Sequence, residues 1–515
     1  MRANRRWCGD RGIMRQEIFR MERVSYVERG VKKLEHFNMQ IYAGEIMGLI
    51  PVNAHGKNAL LELLQNNLPL YDGYIYYSGE LVNSWRDSSR KSNRVSIIQA
   101  QNRLVNGMTV ADNIFVLRQG FRQYVLQMSV LKKQLLPFMQ DIGMDISAEA
   151  RVENLSAFER VVVELLKAVV MGYRLIVLDE ISIVVSEREM QKLFAIMRHY
   201  TGQGFSFLYI SSHFEEILPL CDRTGFLCNG RLQKVVQETD MNRKYLEECL
   251  QGYDRNVWGY PENGHIRPAG EKIFLKAALS DGKKWKKYSF FVREGECLTI
   301  QAQDDQILQA CVRFLTGEES RIMMDCRKRK ISTDKEIAVV SQQPTLTMIF
   351  PEMSYMDNLC MGLARRMPDV FGGRKIKASI RREYAPILGE EVFESPVEAL
   401  SERQKYQLVY TRIILQKPRV AFLIQPFMGA DMPHRRFIWE MLEMLLDKGI
   451  ALVLLSVNPL DTWLVAQRTL KLSGEGIVEE AGELEEHKNS YLFMKRNQDG
   501  SQKGENHNDV GEGGI

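Results

Sequence analysis

The sequence predicts an α/β protein built from two tandem copies of one domain, each with a mainly parallel sheet core and a helical subdomain. Its 515 residues exceed what a single hydrophobic core usually holds. Short motifs recur along the chain in the same order and at a constant offset. Between these motifs, short apolar runs alternate with helical patterns, an arrangement typical of parallel sheets.

The duplication is visible as pairs of similar strings. Three pairs lie 245 residues apart: 108–114 with 353–359, 155–156 with 400–401, and 223–224 with 468–469. A fourth pair, Gly44-Glu45 with Gly295-Glu296, has an offset of 251, so the second copy is six residues shorter between those points (251 − 245 = 6). One matching pair would carry no weight, but several pairs in one order indicate a duplicated domain.

Composition predicts where the copies begin and end. Residues 252–270 contain Pro261, Pro268 and four glycines with little apolar content, which indicates a turn-rich connection. The predicted units are an N-terminal tail at 1–20, a first domain at 21–252, a linker at 253–270, a second domain at 271–495 and a disordered tail at 496–515. The helical subdomains should lie near residues 110–155 and 355–400.

The apolar pattern predicts individual elements in each copy. Three runs are short and apolar enough to be buried strands: 175–178, 420–424 and 451–455. Residues 187–200 predict a helix, because apolar residues recur there at helical spacing from Met190 to Met197.

Bulk composition argues against several classes. The net charge of +4 is small for this length and predicts no nucleic-acid partner. The eight cysteines form no C-x-x-C pair, which favours reduced thiols over a zinc or redox site. No apolar run approaches the roughly 18 residues that cross a bilayer. The first twenty residues carry six arginines but no apolar region typical of a secretory signal.

A candidate phosphate-binding loop follows the strand-like segment 45–50 and precedes a leucine-rich helix. Its residues are Pro51, Val52, Asn53, Ala54, His55, Gly56, Lys57, Asn58 and Ala59. Gly56 and Lys57 match the end of the pattern G-x-x-x-x-G-K-S/T. The helix start offers N–H groups and a positive dipole end, and Lys57 would reach the outer phosphates. Alone, a basic residue at a helix start is an ordinary surface feature.

A pair of carboxylates supports this interpretation. Asp179 and Glu180 directly follow the buried run 175–178. Such a pair suits an aspartate that holds magnesium beside a glutamate that polarises water. The ordinary alternative is a solvated acidic turn at the end of a strand.

Taken together, the order and spacing of these motifs resemble the tandem ABC (ATP-binding cassette) ATPases of sugar importers that serve ribose-, galactose- and xylose-type systems. The resemblance covers roughly residues 21–495. It implies ATP and magnesium as cofactors, both bound weakly, and two P-loop domains that pair head to tail within the chain. It also implies membrane permease subunits as partners, a sugar-binding protein reached through them, and a peripheral position on the cytoplasmic face of the membrane.

The resemblance assigns roles to individual residues. Glu180 and His213 would be catalytic, and Asp179 and Asn58 would hold the metal. The nucleotide would contact the loop from Pro51 to Ala59, together with Ser401 from the other domain's signature segment.

The first copy departs from the family pattern within the loop. Pro51 replaces a glycine and removes a backbone N–H. Ala54 replaces another glycine, which penalises a left-handed conformation. Asn58 replaces the serine whose hydroxyl holds magnesium, and an amide oxygen has a different reach.

Further departures lie downstream in the first copy. The glutamine that senses the terminal phosphate aligns with Ala100, flanked by Gln99 and Gln101, so its role depends on a slip of one residue. Phe158 and Glu159 replace glycine and glutamine in the signature, where a glycine lets backbone approach a phosphate.

The switch histidine of the first copy has two alignments. Its position falls on Ser212, and a slip of one residue would restore His213. Otherwise His213 would be an ordinary surface histidine, and the residues leave both alternatives open.

The second copy departs further. The stretch 301–308 has no Gly-Lys pair and contains Asp304 and Asp305. Ile424 and Gln425 replace the acidic pair, and its signature lacks both glycines. Glutamine cannot take a proton and isoleucine cannot hold a metal, so we expect the composite site of 301–308 with the Phe158 signature to be inactive.

Three functions remain open. The first is a working sugar-importer ATPase, and the second is a pseudo-ATPase that keeps the fold and its membrane or protein partner. The third is a soluble ABC protein of the ribosome-associated type, which is disfavoured because such proteins carry two competent sites and a long charged helical linker. The missing chemical groups favour the second, while the resemblance implies association with a transporter.

Overall fold

The computed structural model describes residues 16–86, 93–100, 103–115, 128–237, 269–279, 288–316, 336–361, 363, 373–458, 462, 465–473 and 476–479. The predicted tail at 496–515 and nearly all of the predicted linker lie outside the described residues. Strand β1 begins at Glu17, inside the segment predicted as an N-terminal tail.

The first domain consists of ten strands and six helices within the described residues. The strands are β1 (Glu17–Glu28), β2 (Val31–Tyr42), β3 (Ile46–Pro51), β4 (Asp72–Tyr77), β5 (Glu80–Ser84), β6 (Val95–Gln99), β7 (Leu175–Asp179), β8 (Ser206–Ile210), β9 (Arg223–Cys228) and β10 (Arg231–Gln237). The helices are α1 (Lys57–Gln65), α2 (Val110–Phe115), α3 (Met128–Asp141), α4 (Ala157–Val170), α5 (Glu187–Gly202) and α6 (Phe214–Leu220).

The described part of the second domain holds eight strands and six helices. The strands are β11 (Ile273–Leu279), β12 (Tyr288–Arg293), β13 (Cys297–Ala302), β14 (Ile337–Val340), β15 (Val420–Ile424), β16 (Ala451–Ser456), β17 (Arg468–Ser473) and β18 (Gly476–Glu479). The helices are α7 (Asp305–Thr316), α8 (Pro344–Thr347), α9 (Tyr355–Cys360), α10 (Gly373–Leu388), α11 (Glu402–Gln416) and α12 (Met432–Asp447).

The two main sheets have the same topology. The first has the order β10-β9-β3-β8-β7-β6, and the second has β14-β15-β16-β13-β17-β18. Read from β6 and from β14, the two orders match strand for strand. All neighbouring strands are parallel except the terminal pairs β9–β10 and β17–β18. The prediction of a duplicated α/β domain with helical subdomains is confirmed.

The central strands are apolar throughout because both of their faces are covered. In β7, Leu175 and Val177 belong to one hydrophobic cluster, whereas Ile176 and Leu178 belong to another. Side chains alternate across a sheet, so helices on both sides turn every position of the run into a core position. The three predicted strands are therefore confirmed as β7, β15 and β16.

None of the described helices combines the length and apolar character needed to span a bilayer.

In each domain, residues from two of the repeated sequence strings form a buried ion pair. In the first domain, Arg223 Nη2 lies 2.8 Å from Glu45 Oε1. In the second, Arg468 Nε lies 2.8 Å from Glu296 Oε1. Each arginine begins the strand β9 or β17, and each glutamate directly precedes β3 or β13. The ion pair therefore links the start of one parallel strand to the start of the neighbouring strand.

We expect Arg468→Ala to destabilise the second domain strongly. The side chain of Glu296 is only 2% exposed and would stay buried without its cation. Breaking a buried pair in this way costs about 3–5 kcal/mol, which urea unfolding would measure. Lys132→Ala, in the exposed pair with Glu149, is the control and should cost less than about 1 kcal/mol. Equal losses in the two variants would contradict the linking role.

Candidate functional site

The loop between β3 and α1 has a conformation that only glycine permits at one position. Gly56 has a φ of 90°, and a Cβ there would lie 2.8 Å from the Lys33 carbonyl oxygen and 2.9 Å from Gly230 Cα. This glycine turns the chain so that Lys57 becomes the first residue of α1. The backbone amides of Asn58 and Ala59 then lie in the first helical turn, where the helix offers no carbonyl to accept a hydrogen bond from their N–H groups. Asn58 is exposed.

The remaining loop residues are held from two sides. The Val52 amide donates to the Leu227 carbonyl at 2.8 Å, where β3, ending at Pro51, lies beside β9. Contacts with neighbouring segments of the same domain fix two side chains: Asn53 Nδ2 donates to Asn229 Oδ1 at 2.7 Å, and His55 Nε2 lies 2.9 Å from the Lys32 carbonyl oxygen. From the other domain, Asp431 Oδ2 accepts from the Ala54 amide at 2.8 Å.

Lys57, Asp179 and Gln99 form a polar cluster at the ends of β6 and β7. Lys57 Nζ lies 2.9 Å from Asp179 Oδ1, and Gln99 Nε2 donates to Asp179 Oδ2 at 3.0 Å. Burial by itself would lower the pKa of Lys57, but the carboxylates of Glu180 and Asp179 outweigh it and raise that pKa. The lysine therefore keeps its charge at neutral pH.

Glu180 occupies a strained position directly after β7. Its φ is 53°, in the left-handed region, which is costly for a residue with a Cβ and is found mainly at functional sites. Ser212 Oγ donates to Glu180 Oε1 at 2.7 Å. The other carboxylate oxygen, Oε2, is buried without a hydrogen-bond partner. Gln425, at the corresponding place in the second domain, has a φ of 43°.

His213 lies next to Ser212 but is directed towards the second domain. Its side chain is buried, and its Nε2 lies 2.9 Å from Arg435 Nη1 on α12. It is therefore not a surface histidine. Ser212, rather than His213, is the residue that contacts Glu180. The catalytic role of His213 stays a prediction.

The second domain has a much shorter loop at the equivalent place. Strand β13 ends at Ala302 and α7 begins at Asp305, so two residues connect them, whereas five connect β3 to α1. Asp304 Oδ1 accepts from the Ile307 amide at 2.8 Å. A carboxylate of the chain itself thus lies at the helix N-terminus where an anion would bind.

The lysine–aspartate pair has no counterpart in the second domain. The sequence offset of 251 pairs Leu308 with Lys57, but the shorter loop shifts the helix by three residues. The Leu308 amide donates to the Asp304 carbonyl as the Leu60 amide does to that of Gly56, so Asp305 takes the position of Lys57. At the offset of 245, the buried Ile424 corresponds to Asp179. The second site therefore has a carboxylate where the first has its lysine, and an apolar side chain where the first has its aspartate.

The two domains contact each other beside the first site. Besides Asp431 with Ala54, Gln425 Nε2 donates to the Ile183 carbonyl at 2.8 Å and Asn458 Nδ2 to the Ser182 carbonyl at 3.2 Å. Each contact joins a segment that follows a central strand of the second domain to a loop of the first. The head-to-tail pairing that the resemblance implies stays a prediction.

The signature segments are helix caps in both domains. Ser156 caps α4 in a reciprocal capping box with Glu159, and the side chain of Phe158 is buried in the core. Ser401 caps α11 in the same way with Gln404 and is exposed. No contact of Ser401 with the 51–59 loop is present among the described residues, so its role in nucleotide binding stays a prediction.

A nearby contact places the first signature at an interdomain edge. In the second composite site, Gln306 Nε2 donates to the carbonyl of Asn154, just before the first signature, at 3.4 Å. The helix that follows the second signature packs within its own domain, where the ring of Tyr406 on α11 lies 5.9 Å from that of His434.

The first site suits magnesium nucleotide better than magnesium alone. Among the described residues there is no group of three acidic, histidine or cysteine side chains that could hold a metal. Both oxygens of Asp179 are engaged by Lys57 and Gln99. Magnesium in such sites relies on one or two carboxylates together with phosphate oxygens. The unpartnered Glu180 Oε2 is the kind of acceptor that a bound water would satisfy.

Three residues of the site are not identified by the sequence motifs. Gln99 is one of the two glutamines that flank the aligned Ala100, and the sheet register pairs it with Asp179. Asp431 and Arg435 belong to the opposite domain and leave no local signal in the sequence.

The fold, with two matching and mainly parallel sheets, is consistent with two tandem ABC-type domains. Residues 34–182 match the ABC transporter family. This segment includes the phosphate loop and the acidic strand end of the first domain.

The similarity to known proteins extends over both domains. The chain is 23% identical over 493 residues to the ribose import ATP-binding protein RbsA of Caldanaerobacter subterraneus subsp. tengcongensis, covering 91% of this chain and 98% of that protein. It is 24% identical over 500 residues to the xylose import ATP-binding protein XylG of Moorella thermoacetica, covering 90% and 97%. A solved ATP-binding cassette of an ABC transporter in its ADP conformation is 17% identical with a TM-score of 0.39, covering 46% of this chain and 99% of that chain.

We expect Lys57→Met to destabilise the first domain and Asp179→Asn to reverse much of that loss in the double variant. Lys57→Met leaves the buried Asp179 carboxylate without its cation, at a cost near the lower end of about 3–5 kcal/mol, whereas removing both charges is often close to neutral. Urea unfolding of the single and double variants measures the coupling. A double variant less stable than Lys57→Met would contradict it.

Proposed function

We propose that this protein is the ATP-binding subunit of a carbohydrate importer, that it keeps one nucleotide site, and that it hydrolyses ATP very slowly or not at all. The observation that carries the nucleotide site is the cluster of Lys57, Asp179 and Gln99 beside Glu180. The similarity to ribose and xylose import ATP-binding proteins over about nine-tenths of the chain supports the transport role.

The partners follow from that role. The chain would bind permease subunits at the cytoplasmic face of the membrane and act, through them, with a sugar-binding protein. In this position it would be a peripheral subunit that energises or regulates transport through its partners.

The residues around the first loop would hold the nucleotide. The amides of Asn58 and Ala59 and the dipole of α1 would bind phosphate oxygens, with Lys57 at the outer phosphates. Asp179 would hold magnesium with Asn58, and Glu180 would position water. When bound, ATP would supply the free energy of phosphoryl transfer to water.

Slow hydrolysis follows from the groups that are absent. The second site lacks a lysine, a metal carboxylate at the strand end and a base, since Asp305, Ile424 and Gln425 lie at those positions. The first lacks the serine hydroxyl and the glycines of the facing signature. Loss of a positioned acid or base costs about 10²–10⁴ in rate, and loss of one charge-stabilising donor about 10²–10³. Such losses do not multiply fully within one site.

One geometric observation favours a working ATPase motor as the second candidate. Lys57, Gln99, Asp179 and Glu180 lie together in the first domain, with the carboxylate of Glu180 held by Ser212. A single competent site could hydrolyse ATP even though the second is inactive.

We expect Lys57→Ala to abolish nucleotide binding by the full chain. The only candidate phosphate loop in the described residues is the one at 51–59, and its lysine is the cation closest to the expected phosphates. Titration with a fluorescent ATP analogue measures the affinity. Lys192→Ala, an exposed lysine on α5, is the matched control. Equal affinity in wild type and Lys57→Ala would place the nucleotide elsewhere.

We expect phosphate release from ATP to be at or near background for the purified chain, alone and with its permease in lipid. Glu180→Gln should then change the rate little, as should Glu62→Gln, an exposed carboxylate on α1. Robust magnesium-dependent turnover that disappears in Glu180→Gln but persists in Glu62→Gln would establish the motor and overturn the proposal of slow hydrolysis.

A further inference from the structure

Arg435 is a cation that the second domain brings to the first nucleotide site. It lies on α12, one turn after Asp431, whose carboxylate accepts from the Ala54 amide of the phosphate loop. Arg435 Nε donates to the Ala430 carbonyl at 3.0 Å, and Nη1 lies 2.9 Å from His213 Nε2. The guanidinium is thus fixed beside His213, the residue that follows Ser212, and one helical turn away from the side chain that holds the loop.

The contact with Arg435 determines what His213 can offer to a ligand. A guanidinium always donates, so the partner nitrogen of His213 must accept with its lone pair. The imidazole is then neutral, and its Nε2 carries no proton for a phosphate oxygen. The positive charge at this point of the site therefore belongs to Arg435.

Two contacts place Arg435 at the edge of the first site. Asp431, one helical turn before it, holds the Ala54 amide of the loop, and His213, which Arg435 contacts, follows the serine that holds Glu180. A triphosphate bound at the loop would bring several negative oxygens into this region, where a guanidinium is a strong donor.

We propose that Arg435 binds the terminal phosphate oxygens of a nucleoside triphosphate held by the first domain, so that the second domain distinguishes triphosphate from diphosphate. The inference rests on the proposed nucleotide site. It gives the second domain a role that does not require its own inactive loop. A planar guanidinium suits this task because it presents paired donors to phosphate oxygens.

The experiment compares the affinities of the full chain for magnesium AMP-PNP, a triphosphate analogue that resists hydrolysis, and for magnesium ADP. Calorimetric titration of wild type, Arg435→Ala, Arg435→Gln and Arg435→Lys measures both. We expect the alanine and glutamine variants to lose roughly 10- to 100-fold in AMP-PNP affinity, the range for a hydrogen bond to a charged group. ADP affinity should change by less than about threefold, and lysine should recover part of the loss.

The neighbouring residue provides a matched control. Arg436 lies next in the chain but pairs with Glu440 on the exposed side of α12, so Arg436→Ala should leave both affinities unchanged. A purely structural role for Arg435 would lower both affinities together, and that result would overturn the inference while leaving the nucleotide site intact. A wild-type chain that binds neither ligand would overturn the inference and the proposed function together.

If Arg435→Ala does not fold, Arg435→Gln tests the same point. Glutamine keeps a polar N–H donor on a shorter side chain but loses the charge. A glutamine variant with wild-type preference for AMP-PNP over ADP would overturn the inference.

Discussion

A buried charge is stable only when an opposite charge lies beside it. In the first domain, Lys57 on α1 and Asp179 at the end of β7 form such a pair. This pair links the start of the helix to the end of the strand, so it organises both the phosphate loop and the acidic strand end. In the second domain, Asp305 begins the helix and the buried Ile424 ends the strand, so neither member of the pair is present. Losing both charges together avoids the cost of leaving one of them buried alone.

The fold does not depend on the residues of the phosphate loop. The sheet order, the left-handed strand-end residue and the buried arginine–glutamate pair recur in both domains. These features depend on backbone geometry and on ions far from the phosphate loop. The second domain can therefore lose its loop and still present Asp431 and Arg435 to the first.

Much of the architecture was predictable because it depends on patterns local to the sequence. Continuous apolar runs mark strands covered on both faces, and repeated strings at one offset mark the duplication. The placement of Gln99 was not predictable at the level of a single residue, since a slip of one position exchanges the two faces of a strand. In the sheet, Gln99 is the register partner of Asp179, and that register places its amide beside the carboxylate. The contact of His213 with Arg435 depends on how two domains pack, which no local pattern encodes.

The loop between β13 and α7, with two residues where the first domain has five, bears on how this lineage can evolve. Single-nucleotide changes can exchange side chains, but they cannot supply missing backbone. Regaining a phosphate cradle there would take an in-frame insertion, a lysine at the helix start and a carboxylate at the buried position of Ile424. That carboxylate would be destabilising until its cation was also present. The loss in the second domain is therefore effectively irreversible, and selection on this protein can act on nucleotide chemistry only through the first.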